Sequence, residues 1–565
     1  MEKSNDFWIY YDIVSYLSQY LDRTDLLDFL SVNKRCRQYD KVFFEKYFID
    51  MEEIQKMDIK WLRQIKKAKW VNNSNCLKYL ESIRELHFGH WFNELVDLPN
   101  TITHLTFGAR FNQPIDHLTT DSTKDYGING KAILPKVHCA AILPKDSSQN
   151  PGAHCAAILP NSITHLTFDI DFNQPIDNLP ESITHLTLGQ QFNQPLNKLP
   201  NSITHLTFGY NFNQPLAFLP ESITHLTFGD SFNHRVDCLS KYNITHLTFG
   251  KLFDQPINCL PHSITHLTLT GYFNQSLDYL PNSITNLTLD FEPNFHHPIE
   301  KLPNSITHLT IKGYFAQNVD YLSDSITTLD LGQRFNLPID KLPNSIKHLT
   351  LGDYFDQSID NLPNSITHLS VGNHFDKCVD HLPNSLIHLN LGNRFNQPMD
   401  NLPEYLTHLK VGWNFNQSIN NLPDTVSHLT VSHDFNQAID NLPPSLQHLT
   451  LGNGFNKPVD KLPNCLTHLT FGYMFNQKVN NLPDSIINLI FSWSFNQPID
   501  NLPNSIKELT MPGTFRKSLN KLPNSLEHLT LTFDNSNQKQ ILDLKKFPPN
   551  INYCFITIGN VSLRC

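Results

Sequence analysis

Residues 181–200 read ESITHLTLGQQFNQPLNKLP, and residues 201–220 read NSITHLTFGYNFNQPLAFLP. The second stretch restates the first with only a few changes. The shared phrase, S-I-T-H-L-T-F-G-x-x-F-N-Q-P-I-D-x-L-P-x, recurs from Ser82 almost to the C-terminus. A fixed period of about twenty residues, in about 21 copies, marks a stacked solenoid rather than a globular catalytic domain. An array of this kind presents a long surface, and its usual work is to hold another molecule.

Within one copy the apolar residues are Ile183, Leu186, Leu188, Phe192, Leu196 and Leu199. Ile183-x-x-Leu186-x-Leu188 has the L-x-x-L-x-L spacing of a leucine-rich repeat. Period-two alternation in a short strand turns Leu186 and Leu188 inward and leaves His185 and Thr187 outward. Gly189 permits a bend out of the strand, and Phe192 plugs the core from the returning side. Pro195 and Pro200 favour an extended return, because each lacks an N–H donor and restrains its predecessor. So short a period leaves no room for a helix on the far side. One copy cannot bury enough surface alone, so stability belongs to the stack.

The head of the chain reads differently. Ile13, Val14, Leu17 and Leu21, then Leu26, Leu27 and Leu30, follow helical spacing, with Thr24 or Asp25 placed to cap the second run. Asp12 to Arg37, DIVSYLSQYLDRTDLLDFLSVNKRCR, resembles the F-box, with Tyr10-Tyr11 standing where that family has Leu-Pro. The resemblance implies a small helical module that docks on a Skp-type adaptor of a cullin ubiquitin ligase core. Its adaptor-binding positions would be Ile13, Val14, Leu17, Leu21, Leu26, Leu27, Leu30 and Val32. The repeats resemble the FNIP repeat, whose signature here reads Phe172-Asn173-Gln174-Pro175-Ile176. An F-box joined to FNIP repeats is typical of social amoebae and of giant DNA viruses that infect them, which implies a host–virus setting for a viral source.

The expected fold is therefore α + β. A helical F-box-like module over 1–50 and a helical linker over 51–81 precede a leucine-rich-repeat-like parallel β-solenoid of about 21 FNIP repeats. The first repeats span 82–116, an irregular inserted loop spans 117–160, the main solenoid spans 161–533, and a degenerate capping repeat spans 534–565. The insert carries HCAAILPK at 138–145 and HCAAILPN at 154–161. His138, Cys139, His154 and Cys155 have the chemistry of a zinc site. Their side-by-side pairing on duplicated text favours a slippage-generated loop, and no metal or cofactor is assigned.

Two outward columns carry the surface chemistry. Histidine recurs at His165, His185, His205, His225, His246, His266 and His308, and again from His348 to His468, with Asn286, Thr328, Asn488 and Glu508 substituting. One reading is a metal-binding or pH-responsive face. The other is a repeat-consensus residue whose neutral rings stack and hydrogen-bond along the sheet, and the substitutions favour it. The residues between Gly and Phe vary instead, and they include Tyr210, Arg334, Tyr354, Arg394, Trp413, Tyr473 and Trp493. Tyr, Trp and Arg dominate protein-interface hot spots, so these positions form either a partner-binding rim or a drifting exposed turn.

The remaining totals exclude more than they assign. A net charge of −10 over 565 residues offers no basic face for nucleic acid. The start, MEKSNDFWIYYDIV, lacks the apolar stretch of a secretory signal, and no apolar run is long enough to span a membrane. Ten scattered cysteines form no C-x-x-C pair, which suits a reducing, cytoplasmic compartment (host cytoplasm for a viral chain). Nucleotide, zinc-hydrolase and serine-hydrolase motifs are missing, so the expectation is no enzyme. A substrate-recognition adaptor of a cullin-type (SCF) ligase and a binding scaffold without ligase association are the two functions left standing.

Overall fold

The computed structural model describes residues 49–50, 66–71, 82–96, 98–116, 157–292, 295–519, 521–533, 553–558 and 561–564. The chain divides into two compact units, Met1–Gln275 and Ser276–Cys565. Both are parallel β-solenoids of leucine-rich-repeat type, with one short strand per copy of the phrase. Apart from one 3-10 turn at Asp237–Lys241, no helix occurs among the described residues, and none is long and apolar enough to cross a membrane. The F-box-like positions Ile13 to Val32 lie outside the described residues.

In the first unit the strands run in exact repeat register, His165↔His185↔His205↔His225, with Leu opposite Leu and Thr opposite Thr. The alternation read from the sequence sets which face is core: Leu186 and Leu188 are about fully buried, while His185 and Thr187 are half-buried on the outer face. Phe192 is wholly buried and stacks on Phe172 and Phe212 at centroid distances of 6.2 and 6.1 Å. Gly209 marks a close approach between turns, since a Cβ there would fall on the carbonyl of Gly189. A shift of the glycine by one place gives Gly271 a φ of +72° and lengthens its strand to His266–Gly271.

Polar side chains also repeat for structural reasons. Asn173 Oδ1 accepts the backbone N–H of Asn193 at 2.9 Å and Nε2 of Gln194 at 3.1 Å, and the same pair of bonds joins Asn193 to Asn213 and Gln214. Ser182 Oγ donates to the Ile163 carbonyl at 2.7 Å. These bonds satisfy backbone groups on the irregular return path, where no strand ladder serves them. The Asn and Gln of the phrase are thus as structural as its Phe.

Two departures from expectation concern elements. Within the expected linker 51–81, Lys67–Val71 is a strand that pairs in parallel with Ile49–Asp50 and with Glu85–Phe88. Its helical spacing yields to tertiary pairing, which buries Ala68 and Val71 fully. The insert ends earlier than 160. Ala157–Ile158 pairs with Ile115–Asp116, Leu159 is buried, and the Pro160 carbonyl accepts the Ile163 N–H at 3.2 Å, as Pro180 does for Ile183. The strand His104–Phe107 then pairs with His165–Phe168 in full register across the insertion. His138, Cys139, His154 and Cys155 fall outside the described residues.

The second unit runs from the strand Asn286–Phe291 through His528–Phe533 in the same parallel manner. Its last described strands lie in the stretch expected to cap the array. Tyr553–Ile558 continues the parallel ladder on His528–Phe533, and Val561–Arg564 closes it with an antiparallel pairing.

Candidate interaction faces

The histidine column forms two stacked ladders. In the first unit His104, His165, His185, His205, His225, His246 and His266 succeed one another at ring-centroid distances of 4.0 to 4.1 Å. In the second, His348 to His468 stack at 4.1 to 4.3 Å. Each strand positions its ring because neighbouring turns differ by a pure strand spacing, about 4.8 Å, which a tilted imidazole closes to contact distance. The rings stack as the structural reading holds, but their hydrogen bond is local. Nδ1 of His185 lies 2.8 Å from Oγ1 of Thr184, and that hydroxyl also lies 3.2 Å from the Thr164 carbonyl. Burial lowers the pKa of His205, and the imidazoles of His185, His165 and His246 lower it further. The ladder is thus built for neutral rings. Among the described residues no group of three or more His, Cys, Asp or Glu could hold a metal ion.

The variable residues before each Phe lie in two parallel columns. Tyr210, Trp413, Tyr473 and Trp493 occupy the first place after the turn, and Arg334, Tyr354 and Arg394 occupy the second. A backbone ladder fixes them: the N–H of the second residue donates to the carbonyl of the first residue one turn earlier, as in Tyr354 to Gln333 and Arg394 to Asn373, both at 2.9 Å. All seven side chains reach solvent. Trp493 is half-buried and the other six are exposed, Trp413 by 60%.

The structure joins some of these residues and not others. The Arg334 guanidinium lies 3.9 Å from the Tyr314 ring centroid and 5.8 Å from that of Tyr354, and Tyr354 stacks on His374 at 4.6 Å. Tyr473 stacks on Trp493 at 6.4 Å, and Trp413 on His433 at 5.8 Å. Tyr210 belongs to the first unit, whose second-place column carries Arg110 at 5.4 Å over Trp91 and paired at 3.1 Å with Asp171. Sequence reasoning missed Tyr314, His374, His433, Trp91 and Arg110. The signal was present, since all but His433 immediately precede the repeat Phe and His433 stands one place earlier.

Comparison with known proteins agrees with this architecture. The FNIP Repeat family matches residues 92–119 and, in overlapping or abutting segments, 156–534. The solved structure of CroV588, described as a novel circular LRR protein, is 37% identical, with 90% of this chain and 80% of that chain covered at a TM-score of 0.65. YopM from Yersinia enterocolitica WA-314 is 20% identical over 66% of this chain and 79% of that one, at a TM-score of 0.40. No curated protein matches the chain.

Proposed function

The chain belongs to the FNIP repeat family, and from that premise we propose that it is a non-catalytic scaffold that binds a protein along its rim. The observation that carries this reading is the exposed stack Tyr314–Arg334–Tyr354–His374. Stacked rings and a sandwiched guanidinium are already ordered, so a partner that covers them loses little side-chain entropy on binding. Packing explains the buried columns and does not explain this one, whose residues make no contribution to the core. A binding surface of Tyr, Trp and Arg is the composition of a hot-spot cluster.

The finer reading makes the scaffold a substrate-recognition adaptor of a cullin-type ubiquitin ligase in the cytoplasm. Its support is the F-box resemblance of Asp12 to Arg37. The head would recruit a Skp-type adaptor through Leu26 and Leu27, and the solenoid would present the target to other subunits. Co-purification of the full chain with a Skp-type adaptor separates the two. Binding that is lost in the Leu26→Ala/Leu27→Ala variant supports the adaptor, and no binding by the intact chain leaves the scaffold alone. The rim has its own test: a captured protein partner that holds as tightly after Arg334→Ala, Trp413→Ala and Trp493→Ala together removes the rim from the reading.

A further inference from the structure

Next to the rim, in the second unit, runs an open trough of about 720 Å³ between Asp290 and Ser432. Its floor is the glycine column Gly332, Gly352, Gly372 and Gly392, each half-buried, with the buried Gly412 at one end. One wall is the first rim place, which includes Asp353, Asn373, Asn393 and Trp413. The other wall is the column that reads threonine in the first unit. Here it reads Asp330, Thr350, Ser370, Asn390 and Lys410, held side by side in strand register.

That change of text is concentrated at the trough, although His87 and Ile490 also replace threonine outside it. Threonine runs unbroken from Thr106 through Thr167, Thr187, Thr207, Thr227, Thr248 and Thr268 in the first unit, and it returns at Thr430, Thr450 and Thr470. The column faces away from the leucine core, so packing does not ask for the replacements. Part of the wall is bound to itself. The Asp353 carboxylate accepts Nδ2 of Asn373 at 2.7 Å and Nε2 of Gln333 at 3.2 Å, and Asn390 Nδ2 donates to Ser370 Oγ at 2.9 Å. These bonds leave the amide oxygens of Asn373 and Asn390 directed to no partner among the described residues. Asp330 is half-buried and Lys410 exposed, and neither side chain has an ion pair or hydrogen bond among the described residues. Burial raises the Asp330 pKa, against the pull of Lys312, so its carboxylate lacks full compensation.

We infer that this trough binds an extended polypeptide segment bearing one basic and one acidic side chain, set against Asp330 and Lys410. Four strand spacings separate the two, roughly 19 Å, the reach of about six extended residues at about 3.3 Å each. Side-chain amides suit a strand-like ligand because each offers a donor and an acceptor, as a peptide group does. A glycine floor lets another backbone approach closely. A neutral glycan could use the amides but would desolvate Asp330 and Lys410 without bringing an opposite charge to either. The inference rests on the scaffold reading and names the form of its partner.

Two degenerate decapeptide pools test it, one with Lys at position 2 and Glu at position 8, the other with these exchanged, alongside maltohexaose as a glycan probe. Anisotropy with the full chain should show one pool binding at least about tenfold tighter than the other. The Asp330→Lys/Lys410→Glu chain should prefer the opposite pool, and Asp330→Asn/Lys410→Gln, which needs no charge swap to fold, should bind both alike. Equal binding of the pools, a preference unchanged by either variant, or binding of maltohexaose alone overturns the inference. The scaffold reading fails separately. A protein captured equally by the intact and the Asp330→Asn/Lys410→Gln chains sinks the trough and keeps the scaffold, whereas a chain that captures none and binds neither pool loses both.

Discussion

At the scale of the residue, the histidine ladder shows how a repeated side chain acquires a property that one copy lacks. A lone imidazole on a strand face titrates near its ordinary value of about 6.5. Stacked at 4.0 Å between His185 and His225, His205 is held below it, first by burial and then by its neighbours. The same direction holds for His165, His185, His225 and His246 in the first unit and for His368 to His448 in the second. Unfolded, each ring binds its proton more readily than it does folded. The contribution of the ladder is therefore intact above about pH 6.5 and is lost as pH falls through that value toward the lowered folded pKa. The melting temperature should drop between pH 7.5 and 5.5. In a His185→Asn/His205→Asn/His225→Asn chain the drop should be smaller, because the unfolded state gains fewer protons. Equal melting temperatures at the two pH values, or an undiminished drop in the triple variant, would refute this account.

At the scale of the element, the strand is specified by its own residues and the return path by its neighbours. The insertion shows the difference. Deleting residues 117–157 would place His165 twenty residues after His104, the spacing already found between His165 and His185. Asp116 would then run into Ile158-Leu159-Pro160 as Asp177 runs into Asn178-Leu179-Pro180. His104–Phe107 and His165–Phe168 are paired with the insert present, so its removal gives up the two-residue pairing of Ile115–Asp116 with Ala157–Ile158 and shortens a loop whose closure cost grows by about 0.6 kcal/mol per doubling of length. Urea unfolding of the deletion chain should match the parent within about 1 kcal/mol. A chain that aggregates or loses cooperative unfolding would mean that the insert supports the fold. Register, core face and turn chemistry were legible in the phrase because each copy repeats them. The re-entry at Ala157 was not, since AILP at 157–160 duplicates text inside the insert. Nor was the strand Lys67–Val71, whose partners lie at Glu85–Phe88 and whose local pattern reads as helix. In the candidate site the rim could be read by subtraction, as the place where repetition stops. The contacts within it could not, because Arg334 meets Tyr314 only after the strands set the stacking distance.

At the scale of the whole molecule, an array of identical turns must stop itself. Every parallel strand offers its outer N–H and C=O groups to another, and an uncovered end would accept a second chain as readily as its own next turn. The last described strands meet this requirement by changing direction. Tyr553–Ile558 follows His528–Phe533 in parallel, Leu529 opposite Cys554 and Leu531 opposite Ile556, and Val561–Arg564 then returns antiparallel. The reversed strand breaks the twenty-residue register that another solenoid end would need to match. Removing residues 534–565 should therefore leave His528–Phe533 as a bare parallel edge, its Leu529 and Leu531 side chains covered from one side only. Light scattering should show the truncated chain forming dimers or larger species at micromolar concentration while the full chain keeps a smaller mass. Its melting temperature should become concentration-dependent, since association then contributes to stability. A truncated chain that matches the full one in mass and in melting behaviour at all concentrations would mean that the reversed strand does not guard the edge, and that the exposed end of His528–Phe533 is protected by its own side chains.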